Sequence, residues 1–342
     1  MGPGTAHLVP GHDLPSTADP AALDAALTTL ELVVRRRLDG VLQGNHLGLL
    51  PGPGSEPGDA RTYFPGDDVR RMDWSVTART TEAHIRQTVA DRELETWLAV
   101  DLSASLDFGT VHGEKRDLVV AAAAAVGHLT SGGGNRIGAV VADGAGTTRV
   151  PARSGRAHLR HLLRTLASSP RRSPAEATDG GDLPDTVRGD VAAALDQLRR
   201  PARRRGLVVV LSDFIGPLDW ERSLRALAGR HEVLAVEVLD PRDLELPAVG
   251  AVTLVDPETG ASAEVQTTRG LRAAFADAAA AHRTQVAAAL RRSGAAQLTL
   301  RTDRDWIADV VRFVVARKRG WTGARADAPR SAGPGAAVAG AS

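Results

Sequence analysis

The 342-residue chain has no cysteine. Disulfides, thiolate nucleophiles and zinc–thiolate centres are therefore excluded. Aromatic residues are scarce, 3% of the chain with a single tyrosine, so a core has to be built from Ala, Val and Leu. No apolar run approaches the roughly 20 residues needed to cross a bilayer. Residues 1–20 lack both an apolar stretch and a basic lead, so no secretory signal is expected there and the cytoplasm is the expected location. Neither sign of charge dominates: Lys and Arg number 42, Asp and Glu 41. A net charge of +1 gives the chain as a whole no attraction for nucleic acid. Arginine clusters at 35–37, 171–172, 199–205 and 317–319 are short and carry no interleaved rings for stacking bases. No nucleic-acid partner is expected.

What is present is enough for a packed α/β protein. Hydrophobic residues make up 43% and charged residues 24%, the range of ordinary globular domains. Residues 1–19, rich in Pro, Gly, His and Asp, read as a disordered leader. From Pro20, Leu23, Leu27, Leu30 and Val34 share one helical face, with Asp19 as cap and Pro20 in the first turn. Residues 39–62 read as an extended loop, and 84–88 as a short strand. Strands at 97–102, 136–142, 207–212 and 232–239 then alternate with helices at 114–130, 155–167, 189–199, 218–229 and 269–292. Such alternation predicts a doubly wound, mostly parallel sheet covered on both faces. Residues 252–255 and 264–266 flank a turn and read as a hairpin. A last strand at 297–301 and a last helix at 305–319 follow. Residues 168–187 read as a loop and 321–342 as a low-complexity tail. The expected division is a leader (1–19), an N-terminal helix and arm (20–92), an α/β domain (93–320) and a tail (321–342).

The stretch that carries chemistry is Asp101-Leu102-Ser103-Ala104-Ser105, at the end of the first central strand. In open parallel sheets, ligands bind beyond the carboxyl ends of the strands. Ser212-Asp213-Phe214 ends another such strand. If the two strands are neighbours, two carboxylates and two hydroxyls surround one point. Hard oxygen donors of this kind suit Mg²⁺, which keeps several waters and takes a ligand from its partner. The Asp-x-Ser-x-Ser pattern resembles the metal-ion-dependent adhesion site of von Willebrand factor A domains. That resemblance implies a binding module with a von Willebrand A-type fold. It assigns Mg²⁺, with Mn²⁺ as a substitute, to Asp101, Ser103, Ser105 and Asp213, with one position open for an acidic group of the partner. The adhesion site also uses a Thr before a helix. Gly189 stands in its place here, with Thr186 and Asp190 as the nearby candidates for a further metal or partner contact.

A second pattern is Pro65-Gly66-Asp67-Asp68-Val69-Arg70-Arg71-Met72-Asp73-Trp74, followed by Arg79. It resembles the signature of a bacterial family of unknown function whose members are von Willebrand A-like and are often encoded beside MoxR-type AAA+ ATPases. The similarity runs over about residues 30–315, through Asp240-Pro241-Arg242-Asp243 and Asp256-Pro257-Glu258-Thr259-Gly260. Asp67, Asp68 and Asp73 alternate with Arg70, Arg71 and Arg79, so the segment can neutralise itself through bidentate pairs. Trp74 offers one large apolar anchor. The segment therefore reads as a clamp docking the N-terminal arm on the sheet, or as a recognition surface for the ATPase.

Other motifs point away from catalysis. Gly132-Gly133-Gly134-Asn135 lacks the Gly-Lys-Ser/Thr ending of a phosphate loop. No zinc spacing of histidines occurs, and neither serine sits in a Gly-x-Ser-x-Gly elbow. His158 and His161, among arginines, read as a solvated basic face. Arg188-Gly189-Asp190 spells an adhesion tripeptide, which chance explains in a chain this rich in Arg and Gly. The resulting expectation is a non-enzymatic, protein-binding adaptor that uses a Mg²⁺ site and works with a MoxR-type ATPase on client proteins. A metal-dependent phosphohydrolase on the same carboxylates and a metal-free scaffold are the alternatives.

Overall fold

The structure, a computed structural model, describes residues 20–41, 60–63, 72, 74–80, 82–86, 94–111, 113–130, 134–171, 190–257 and 261–326. The chain opens with α1 (Pro20–Val41). β1 (Ala60–Thr62) pairs antiparallel with β2 (His84–Arg86), and α2 (Trp74–Thr80) lies between them in sequence. The main domain then runs β3 (Glu95–Asp101), α3 (Lys115–Thr130), β4 (Arg136–Ala142), β5 (Thr147–Arg153), α4 (Arg156–Ala167) and α5 (Asp190–Leu198). It continues with β6 (Leu207–Ser212), α6 (Glu221–Ala228), β7 (Glu232–Leu239), β8 (Ala251–Val255), β9 (Ser262–Gln266), α7 (Arg269–Arg292), β10 (Ala296–Arg301) and α8 (Trp306–Ala326).

Six strands form one sheet in the order β10-β7-β6-β3-β4-β5. Counted along the chain within that sheet, the order is 6-5-4-1-2-3, the doubly wound arrangement. Every pair is parallel except β4–β5. The expected α/β class and mostly parallel sheet are therefore what the chain adopts. Alternate residues of each strand feed two cores. Leu98, Val100, Val209 and Leu211 face α1, α3, α4 and α8. Trp97, Ala99, Val208 and Val210 face α5, α6 and α7. Helix α3 is apolar on all sides, and residues Leu118–Val126 are buried throughout, because it is sandwiched between the sheet and α1.

Helix α1 is a third layer of the same core. Leu27, Leu30 and Leu38 are fully buried against α3, α4 and α8, each contributing about 1.5–3 kcal/mol. Its polar flank is matched as well. Glu31 takes bonds from Arg156 and Arg160, Asp24 pairs with Arg164, and Arg37 pairs with Asp305 at 2.5 Å. The basic face of α4, read from sequence as solvated, keeps Arg156 and Arg164 exposed but pairs them with acids of α1, and His158 Nε2 lies 3.0 Å from the carbonyl of Ile137. A second difference is β5, where the sequence reading places no strand. Thr147–Arg153 is exposed at most positions and contains Pro151. Its signal is weak because an edge strand needs neither a continuous apolar run nor every N–H. The expected hairpin is present as β8 and β9. Among the described residues, no helix is long and apolar enough to cross a membrane.

Candidate functional site

The doubly wound order places β3 beside β6, where successive connections leave in opposite directions. A crevice opens at the carboxyl ends of such strands. Register aligns Val100 with Leu211, so Asp101 and Ser212 end their strands side by side. Ser212 Oγ donates to Asp101 Oδ2 at 2.7 Å and accepts from Phe214 N at 2.8 Å. Asp101 Oδ1 accepts from Ser103 N at 2.9 Å, an Asx-turn that bends the chain off the strand. The following turn brings Ser103 Oγ and Ser105 Oγ to 3.2 Å from each other. Asp101, Ser103 and Ser105 are all buried. Burial, and then the charge of Asp213, push Asp101 up to about 7.

Asp213 arrives at the same crevice, as expected, but its carboxylate is already engaged. Oδ1 accepts from Ile215 N at 3.0 Å and Oδ2 accepts from Lys115 Nζ at 2.8 Å. Lys115 Nζ also donates to Asp243 Oδ1 at 3.1 Å. The lysine side chain is 1% exposed. Burial opposes its charge, yet Asp213 and Asp243 together hold it above the usual lysine range. The ring of Phe108 lies 5.9 Å from the same ammonium, close enough for a cation–π contact. One buried cation thus ties together the start of α3, the end of β6 and the turn after β7. The sequence reading did not single out Lys115. Its signal was a charged triplet, Lys115-Arg116-Asp117, opening a helix whose next nine residues are apolar.

Further hydrogen bonds hold these loops. Asp240 accepts from Thr110 N and Oγ1, from Arg242 N and from Thr302 Oγ1 at 2.6–2.9 Å. Burial opposes ionisation there, but these bonds hold Asp240 below the usual carboxylate range. Asp243 Oδ2 accepts from Asp240 N at 2.8 Å. From α7, Arg283 donates to the carbonyl of Asp213 and to Glu237, both at 2.7 Å. His282 Nε2 lies 3.0 Å from the carbonyl of Phe214. Phe214 carries a positive φ of 54°, an unusual conformation for a bulky residue. Its buried ring, edge-on to Trp220 at 5.2 Å, holds it there.

Two hydroxyls and a carboxylate short of nearby positive charge make a donor set that fits a small hard cation. Among the described residues no three carboxylate or imidazole groups converge as a metal cage. A cation here would therefore rest on hydroxyls and water, with carboxylates behind them. Asp190 opens α5 and is half-buried. Thr186 and Gly189 lie outside the described residues, as do Pro65, Gly66, Asp67, Asp68, Arg70 and Asp73 of the second pattern. Trp74 and Arg79 are described, on α2. Trp74, read from sequence as an apolar anchor, is 70% exposed at the first position of a short helix. Two cavities flank this picture. One of about 400 Å³ lies beside the β3–α3 loop, lined by Thr110, Glu114, Asp117 and Arg171. The other, about 670 Å³, lies at the far end of the sheet between α1, α3 and α4, away from the carboxylates.

Residues 59–285 match the family described as "Protein of unknown function DUF58". The chain belongs to this family. An uncharacterized protein of Mycobacterium tuberculosis strain H37Rv is 63% identical to this DUF58 chain over 302 residues, covering 88% of the chain and 92% of the relative. An uncharacterized protein of Mycobacterium bovis matches equally. Among solved structures, BatB from Bacteroides thetaiotaomicron aligns with 66% of the chain and 99% of its own length, at 15% identity and a TM-score of 0.37. A von Willebrand A domain titled SpRpn10 aligns with 64% of the chain and 94% of its own length, at 9% identity and a TM-score of 0.36.

Proposed function

We propose that this DUF58 protein is a binding module, not an enzyme. In this reading its site at the β3–β6 crevice captures an acidic group of a partner protein through Mg²⁺. The observation that carries the reading is the pair of Ser103 and Ser105 hydroxyls, 3.2 Å apart beside a buried carboxylate at the switch point of the sheet. Ser103 and Ser105 would hold the ion, Asp101 would stand behind them, and Asp213 would contribute through its Lys115 pair. When bound, Mg²⁺ supplies a coordination position that a partner carboxylate can occupy. The chain's own part is to hold two hydroxyls in place and keep the surrounding backbone rigid. The partner we assign is a MoxR-type AAA+ ATPase, with the protein as adaptor for clients in assembly or maturation. That assignment rests on the family resemblance alone.

The test is calorimetric titration of Mg²⁺ and Mn²⁺ into the purified protein and into Asp101→Ala and Ser103→Ala/Ser105→Ala variants. The same proteins are then used to capture a MoxR-type ATPase with and without chelator. Ion binding lost in the variants, with chelator-sensitive capture, supports the proposal. Capture indifferent to chelator and to both variants would overturn the metal reading and favour the metal-free scaffold.

A further inference from the structure

The loop between α5 and β6 reads Arg199-Arg200-Pro201-Ala202-Arg203-Arg204-Arg205, five arginines in seven residues. It lies at the amino ends of the strands, the opposite end of the sheet from Asp101. The loop is pinned from within. Ala202 is buried, its N–H bonds the carbonyl of Leu198 at 3.0 Å, and buried His231 makes a hydrogen bond to its backbone. Gly206 passes so close to the carbonyl of Glu95 that a Cβ would sit 2.0 Å from it. With the small residues pressed inward, all five arginines are exposed. The parallel register pairs Leu207 with Glu232. Arg230, two residues before Glu232, therefore comes up beside Arg205 and is exposed too.

Three acids lie nearby, and no ion pair joins them to these arginines. Glu95 accepts from Trp97 Nε1, Glu232 pairs with Arg317, and Asp196 accepts from Ser223. Among the described residues, none of the six guanidinium groups makes an ion pair. A chain of net charge +1 therefore gathers six arginines without an ion-pair partner at one end. What else is absent there narrows the partner. Among the described residues, no large apolar side chain is exposed on this loop, whereas a stable protein–protein interface needs an apolar core. No ring is present to stack bases, and the arginines sit on a loop, not on a helix that could enter a groove.

We infer that this end of the molecule docks electrostatically on an anionic lipid surface. Such a surface asks only for clustered basic side chains, each adding about a fivefold gain in partitioning. Docking by this end turns the Asp101 crevice away from the bilayer, so membrane attachment and partner capture are compatible. The inference does not depend on the metal reading.

The experiment is flotation of the full chain with vesicles of phosphatidylcholine, with and without phosphatidylglycerol, over a range of salt. The expected result is binding only to the anionic vesicles, weakening as salt rises. Arg203→Gln/Arg204→Gln/Arg205→Gln should bind about a hundredfold less, and the matching triple Lys variant should bind nearly as well as the parent. These side chains are exposed, so the fold should survive, which far-UV circular dichroism checks. Equal flotation with both vesicle types, or unchanged flotation of the triple Gln variant, would overturn the inference. So would retention of duplex DNA by these arginines with no vesicle binding, which would instead make the loop a nucleic-acid site.

Discussion

Replacing Lys115 by Met removes one ammonium and leaves two carboxylates buried. The methionine keeps most of the apolar stem, so the loss is chiefly electrostatic. Asp213 is 1% exposed and Asp243 9% exposed at the side chain, and both bond to the lysine, at 2.8 and 3.1 Å. Removing one partner of a buried ion pair typically costs about 3–5 kcal/mol, because the other charge stays buried without compensation. The upper part of that range applies here, because two acids lose their cation and repel each other. Burial already raises Asp243 above its ordinary value even with Lys115 present. In the variant that carboxylate should take up a proton on folding. A group whose folded pKa is raised binds more protons folded than unfolded, so its penalty grows with pH above the unfolded value. The variant should therefore be least stable relative to the parent at neutral and basic pH and recover part of the loss near pH 4. Urea unfolding followed by circular dichroism at several pH values measures this. Adding Asp213→Asn to Lys115→Met should recover about 1–3 kcal/mol, the coupling expected of neighbours that share a network. A loss below about 1 kcal/mol, or no recovery in the double variant, would refute the claim that this lysine holds the loops together.

Three further outcomes follow from the geometry. Asp101, pushed up to about 7, should make the ion-free protein more stable as pH falls from 7 towards 4, by as much as about 4 kcal/mol; Asp101→Asn should flatten that part of the stability–pH curve. If Mg²⁺ occupies the crevice, its affinity should fall below about pH 7, because the ion competes with a proton on Asp101, and calorimetry in buffers of different ionisation enthalpy would register proton release. Leu27→Ala or Leu38→Ala should cost about 2–5 kcal/mol, whereas Arg37→Ala, which removes the partly exposed pair with Asp305, should cost about 1 kcal/mol or less; equal costs would mean that α1 adheres by its charges and not by its core.

The pattern of alternating runs was enough to predict the class of fold, because buried parallel strands and their covering helices write long, continuous apolar signals. Residues 207–211 and 233–236 could hardly be anything but central strands. Asp101, Ser103 and Ser105 were legible for a similar reason: their spacing is local, and a strand end is where a parallel sheet opens. Apart from the meeting of Asp101 and Asp213 on neighbouring strands, features that depend on two distant segments were not legible. Edge strand β5 is half solvated and shares its pattern with ordinary loops. The charges of α4 showed no partners until α1 brought Glu31 and Asp24 to them. Lys115, Asp213 and Asp243 are separated by 98 and 30 residues, so no periodicity could join them. Sequence alone determined what the buried segments would become, since helix and strand periods are short-range properties. Which charges would neutralise one another was decided by the strand order, because Coulomb attraction at hydrogen-bond distance depends on neighbours that only the folded chain supplies.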